Sequence, residues 1–177
     1  MKVLFLDCDG ILNTAQFQKE RAKKYGRIPS ADLYFQPSCM HHLKRIIDET
    51  GCKIVLSSTW RLSELRVGAI YTNFVMHNMD IRTIIGKTPN FLYATTFSNG
   101  KGYVERGDEI KAWLKANDKI NYNIESFVIL DDDSDMADLK DRLVQTTWKL
   151  GLTRKLANKA IRMLNGETNE YKINSKN

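Results

Sequence analysis

The chain has 177 residues, enough for one well-cored domain and short of two. With 42% hydrophobic and 27% charged residues it is no disordered chain, and no apolar run approaches the roughly 20 residues of a membrane span. A formal charge of +6 favours anionic partners such as phosphates or nucleic acid without identifying one. Part of that surplus lies in Lys19, Arg21, Lys23, Lys24 and Arg27, and part from Arg154 onward. The first apolar run is too short for a signal peptide and ends in Asp7, and Cys8, Cys39 and Cys52 form neither a CxxC pair nor an even set. These features lead us to expect reduced thiols and a cytoplasmic location.

In chain order, Val3-Leu4-Phe5-Leu6 reads as a fully buried strand running into Asp7-Cys8-Asp9-Gly10. Two carboxylates one residue apart repel each other and resist desolvation, so a fold that holds them needs a compensating cation or proton. A hard divalent ion with oxygen ligands does this most simply. The stretch 13–36 is polar and basic and reads as a flap or small insertion. Pro37 and Ser38 open a helix with Met40, Leu43, Ile46 and Ile47 on one face, closed by Thr50-Gly51. Lys53 to Leu56 is a second buried strand leading into Ser57-Ser58-Thr59-Trp60-Arg61, and a helix is predicted from Ser63 to Met79.

The stretch from Ile81 to Gly102 is turn-rich and receives no assignment. Gly86-Lys87-Thr88 imitates the end of a phosphate-binding loop, but the position that needs the first glycine holds Ile81. Asp108-Glu109-Ile110 starts a helix with an apolar stripe of Ile110, Trp113 and Leu114, its acids suited to the helix N-terminus. Phe127 to Leu130 is a third buried strand and runs into Asp131-Asp132-Asp133-Ser134-Asp135. Leu143-Val144 starts a short last strand. Thr153 caps a final helix carrying Leu156, Ala160, Ile161 and Leu164, stopped by Asn165-Gly166. The pattern predicts one domain over residues 1–166 and a polar tail over 167–177.

Apolar strands alternating with amphipathic helices predict an α/β fold: a Rossmann-like three-layer domain with a mainly parallel central sheet. Ligands of such sheets bind beyond the carboxyl ends of the strands. Three strands here end in chemically loaded residues: Asp7 and Asp9, Ser57 and Ser58, and the Asp131 cluster.

The order of these motifs, an acidic strand end, a serine strand end, a basic residue and an acidic cluster, resembles the haloacid-dehalogenase-like phosphatases. More narrowly, IVLSSTWR (Ile54 to Arg61), RGDEIKAWL (Arg106 to Leu114) and VILDDDSDM (Val128 to Met136) resemble the branch of multidomain RNA-repair proteins and phage-encoded phosphatases. The resemblance implies Asp7 as nucleophile, forming an aspartyl-phosphate, and Asp9 as the acid and base. It implies Mg2+ held by the Asp7 carboxylate, the Asp9 carbonyl and Asp131, with Asp132 and Asp135 in support or as alternates.

Ser57 or Ser58 would bind the phosphate, and successive strand residues face opposite ways, so only one of them points at it; Ser58 is slightly favoured. Arg106 stands where the family usually has Lys, with Lys101 and Lys87 as alternates. Arg61 either reaches the substrate phosphate or pairs with an acid. No large cap is expected, because the gap between the first two motifs holds little more than a helix and a loop. An open site, a basic surface and the repair-like motifs favour a 3′- or 5′-phosphate on RNA or DNA ends. A nucleotidase or small-molecule phosphatase is the alternative, and an inactive module that binds phosphorylated ends a third. Tyr25, Tyr34 and Phe35 either stack on bases or anchor their loop to the core.

Overall fold

The computed structural model describes residues 1–26, 33–91, 104–117 and 122–167. Five strands form one parallel sheet: β1 (Lys2–Leu6), β2 (Lys53–Leu56), β3 (Ile84–Lys87), β4 (Ser126–Asp131) and β5 (Leu143–Gln145), in the order β3-β2-β1-β4-β5. The helices are α1 (Ala15–Tyr25), α2 (Pro37–Thr50), α3 (Glu64–Met76), α4 (Arg106–Asn117) and α5 (Arg154–Leu164). This is the expected three-layer α/β fold, and among the described residues no large cap covers the sheet.

The apolar strands are buried on both faces because alternate residues feed two cores. Leu4, Leu6, Ile54, Leu56, Val128 and Leu130 pack with α2, α3 and α5 on one side. Val3, Phe5, Val55 and Ile129 pack with Ile110 and Trp113 of α4 on the other. The Trp113 ring meets Phe5 edge-on at 5.5 Å, so this tryptophan is core. The chain steps outward from β1 to β2 to β3, then returns to the far side of β1 to lay down β4 and β5. Right-handed crossovers require the helix of that returning step, α4, to lie on the opposite face. The reversal opens a crevice between the carboxyl ends of β1 and β4, where sheets of this kind bind ligands.

Local signals explain most element ends. Thr14, Ser63 and Thr153 accept hydrogen bonds from Phe17, Arg66 and Leu156 at the starts of α1, α3 and α5. Two expectations change. The helix predicted to reach Met79 ends at Met76, because Asn78 takes a left-handed backbone and Met79 turns into the core. The unassigned middle contains β3, whose two isoleucines are followed by Gly86 and whose pairing with β2 carries a register shift. Gly86 and Lys87 therefore lie in a strand and not in a phosphate-binding loop. Within the stretch read as a flap, α1 buries no residue. Its neighbour Phe35 is buried against Trp60, while Tyr25 and Tyr34 are exposed around Arg21, so the aromatics of this stretch divide between core and surface.

Candidate active site

The parallel register pairs Leu6 with both Leu56 and Leu130, so the residues after them arrive together at one edge. Asp7 N–H donates to the Leu130 carbonyl and Ser57 N–H to the Leu6 carbonyl, each at 3.0 Å. By alternation Asp7, Ser57 and Asp131 continue the face of Phe5, Val55 and Ile129, which α4 covers. The N-terminus of α4 adds Arg106 to this group. Its approach depends on Gly107, where a Cβ would lie 2.2 Å from the Met136 carbonyl oxygen. Gly10 has a similar duty on the other side: its φ is +70°, and a Cβ there would lie 2.3 Å from the Asp132 carboxylate.

Arg106 Nη1 lies 2.9 Å from Asp7 Oδ1, 3.3 Å from Asp131 Oδ2 and 3.1 Å from the Ser57 carbonyl oxygen. Of the three basic candidates, Arg106 alone is shown beside Asp7. Lys87 is exposed at the end of β3, and Lys101 lies outside the described residues. Burial disfavours the Arg106 charge, but Asp131 and Asp7 outweigh it and hold its pKa above the usual value. Burial raises the Asp7 pKa, with Arg106 and Ser58 opposing the rise. Asp131 is pushed up to about 8, mainly by burial, with Arg106 opposing and Asp7 adding to it. Asp132 is raised by burial and by the Asp7 charge. Cys8 sits between the two acids, and burial raises its thiol well above normal, so it stays protonated beside Asp7 at neutral pH.

Carboxylate oxygens of Asp7, Asp131 and Asp132 lie within 4.8 Å of one another. Asp131 Oδ2 is buried and accepts no hydrogen bond; its contact with Arg106 is one of charge without hydrogen-bond alignment. Three carboxylates thus face one guanidinium, a surplus of two negative charges if all are ionised. A divalent cation with hard oxygen ligands fits this donor set and would satisfy the orphaned oxygen. The carboxylates of Asp9 and Asp135 stay outside the trio. Asp9 Oδ1 and Oδ2 accept from Asn13 and Trp60, while Asp135 Oδ2 accepts the Arg106 backbone N–H at 3.3 Å. Asp132 is the third acid of the cluster, while Asp135 Oδ1 is, like Asp131 Oδ2, buried without a hydrogen-bond partner.

The two serines differ in their partners. The Ser58 hydroxyl accepts the Trp60 backbone N–H at 3.3 Å and lies close enough to Asp7 to oppose the rise in its pKa. The Ser57 hydroxyl is buried without a partner. Arg61 is held entirely by protein groups. Its five N–H donors go to the carbonyls of Thr88, Ser57, Ser58 and Pro89 and to Glu109 Oε2 at 2.6 Å. Of the two readings of Arg61, the structure shows the pairing with an acid: all five N–H groups have protein partners, and the side chain braces the serine turn against α4. Sequence reasoning placed Glu109 only as an acid at a helix start, gave Asn13 no part in the site and found no role for Trp60 there; no periodicity marks them, since their partners are distant in the chain or lie in a turn.

A parallel sheet with acids at the ends of two adjacent central strands, a serine pair after a third and a cation from the helix that precedes the second acidic strand is the arrangement of haloacid-dehalogenase-like proteins. The family described as the HAD domain in Swiss Army Knife RNA repair proteins matches residues 3–157, and the chain belongs to it. No curated protein and no solved structure matches the chain. The family is one of hydrolase type, and the buried acidic cluster is consistent with metal binding. Among the described residues, no helix is long and apolar enough to cross a membrane.

Proposed function

We propose that this protein is a Mg2+-dependent phosphomonoesterase that works through an aspartyl-phosphate on Asp7 and prefers a 3′- or 5′-phosphate at a nucleic-acid end. The observation that carries the chemistry is the meeting of Asp7, Arg106 and the Asp131–Asp132 pair, with one buried carboxylate oxygen left unbonded. Asp7, Asp131 and Asp132 would hold the ion. When bound, Mg2+ supplies positive charge that lets an anionic phosphate approach an anionic nucleophile.

Asp7 attacks phosphorus, and the bond from phosphorus to the ester oxygen breaks. Asp9 delivers a proton to the departing oxygen, giving the free alcohol. Asp9 then takes a proton from water, whose oxygen attacks phosphorus and releases Asp7 and inorganic phosphate. Arg106 holds one Asp7 oxygen at 2.9 Å and screens its charge from the incoming phosphoryl group. The Ser57 or Ser58 hydroxyl would orient the phosphoryl oxygens, and Arg61 supports both serines through their carbonyls.

Two observations support a polynucleotide substrate. One is the family's description as a domain of RNA repair proteins. The other is the surface beside Asp9: α1 begins there and exposes Lys19, Lys23 and Lys24, with Tyr25 exposed at its end. The Trp148 carbonyl accepts the Ala15 N–H at 3.0 Å, which sets the half-exposed Trp148 near the start of α1. Cations interleaved with aromatics suit a strand of phosphates and bases.

The test is Mg2+-dependent phosphate release from 3′- and 5′-phosphorylated oligonucleotides, mononucleotides, phosphopeptides and sugar phosphates. Oligonucleotide ends should be cleaved most efficiently, and K23E/K24E should raise KM for them while leaving mononucleotide turnover intact. Comparable turnover of mononucleotides and oligonucleotides would move the substrate to the nucleotidase reading. No release from any ester would refute the phosphatase itself.

A further inference from the structure

The Asp9 carboxylate is gripped from both sides. Asn13 Nδ2 donates to Oδ1 at 2.7 Å, and Trp60 Nε1 donates to Oδ2 at 2.8 Å. Each carboxylate oxygen has two acceptor sites, so one on each is occupied and one on each is left for a proton in transit. The terminal torsion of an aspartate is otherwise broad and loosely determined. Two donors at fixed places remove that freedom without adding charge.

Both donors are anchored independently. Trp60 lies in the 3₁₀ turn Thr59–Leu62 after β2 and is only 1% exposed. Its ring packs on Phe35 with centroids 5.2 Å apart, and the Arg66 guanidinium lies 5.2 Å from its ring centroid. An indole N–H buried this deeply needs an acceptor, and Asp9 supplies it. Asn13 is held through its side-chain oxygen by Gln18 of α1 and through its backbone carbonyl by Gly10 N–H. Asp9 is thus fixed from the β2 side by the core and from the other side by the turn leading into α1.

We infer that Trp60 and Asn13 are positioning residues for Asp9, aiming its carboxyl at the departing ester oxygen. The inference rests on Asp9 being the proton carrier. Misplacement of a catalytic group by about 1 Å can cost about 100-fold in rate, and general acid catalysis itself contributes about 10²- to 10⁴-fold. Loss of one of two grips should therefore cost about 10- to 100-fold where the leaving oxygen needs a proton. An acidic nitrophenol leaves without one and should be nearly unaffected.

The experiment measures kcat/KM with saturating Mg2+ for ethyl, phenyl and nitrophenyl phosphates, using wild type, Trp60→Phe, Asn13→Ala and Asp9→Asn. The expected result is a loss in Trp60→Phe and Asn13→Ala that grows as the leaving alcohol becomes less acidic, parallel to but smaller than that of Asp9→Asn. A uniform loss across the three esters, or no loss, in both positioning variants refutes the inference while leaving Asp9 its role, provided Asp9→Asn changes the leaving-group dependence. An unchanged dependence in Asp9→Asn refutes the role given to Asp9 and this inference with it. Asn13 is outside the apolar core, so Asn13→Ala decides the matter if Trp60→Phe does not fold.

Discussion

Replacing Glu109 with Gln removes one charge from a nearly isosteric side chain and isolates the Arg61 guanidinium. The Arg61 and Glu109 side chains are 3% and 12% exposed and lie 2.6 Å apart, so solvent screening gives little relief. The same carboxylate accepts the Phe91 N–H at 3.0 Å. Removing one partner of a buried pair leaves an uncompensated charge and costs about 3–5 kcal/mol. For a domain of this size each kcal/mol lowers Tm by about 2–4 °C, which gives a fall of about 6–20 °C. Urea unfolding and thermal melts of Glu109→Gln read this directly. A double variant, Arg61→Met with Glu109→Leu, should recover only the charge part of the loss, because it also removes the donors that Arg61 gives to the carbonyls of Thr88, Ser57, Ser58 and Pro89. A cost under about 1 kcal/mol, the value of an exposed pair, would refute the reasoning. A rise in KM with stability unchanged would instead restore Arg61 as a phosphate ligand.

Asp7→Asn should abolish phosphate release and also the transfer of labelled phosphate to the protein; turnover near wild type would mean a different nucleophile. Gly107→Ala forces its Cβ to within 2.2 Å of the Met136 carbonyl oxygen, so the start of α4 must move. We expect a loss of about 1–3 kcal/mol in urea and a fall in kcat as Arg106 shifts from Asp7, against little change for Lys111→Ala. Burial pushes the Asp131 pKa up to about 8, from about 4 in the unfolded chain, so the metal-free native state binds more protons than the unfolded chain between those limits. Stability without metal should therefore fall as pH rises through that window, and saturating Mg2+ should flatten the dependence. Unfolding curves with Mg2+ or with a chelator at several pH values check this. For the same reason Mg2+ affinity, followed by calorimetry, should weaken as pH falls below about 8.

Much of this protein was determined locally. The apolar runs of β1, β2 and β4, four residues in β1 and β4 and three in β2, need no partner to be recognised, because only a buried strand uses so many large apolar side chains in a row. Capping at Thr153 and the stop at Asn165-Gly166 were equally legible, since one side chain and a few backbone groups decide them. The acids after β1 and β4 announced the crevice, because strand ends in a parallel sheet share one edge. Pairing across the chain was decided only by tertiary structure. Nothing in its own composition makes Ile84-Ile85-Gly86-Lys87 a strand; β2 does, by offering it an edge. Arg61 meets Glu109 from 48 positions away, and Trp60 meets Asp9 from 51. Hydrophobic period and capping report how a segment is buried, but which donor meets which carboxylate depends on how α4 and the turn after β2 pack over the sheet. That packing separates the acids of the strand ends: Asp7, Asp131 and Asp132 gather beside Arg106, and Asp9 is drawn away by Asn13 and Trp60.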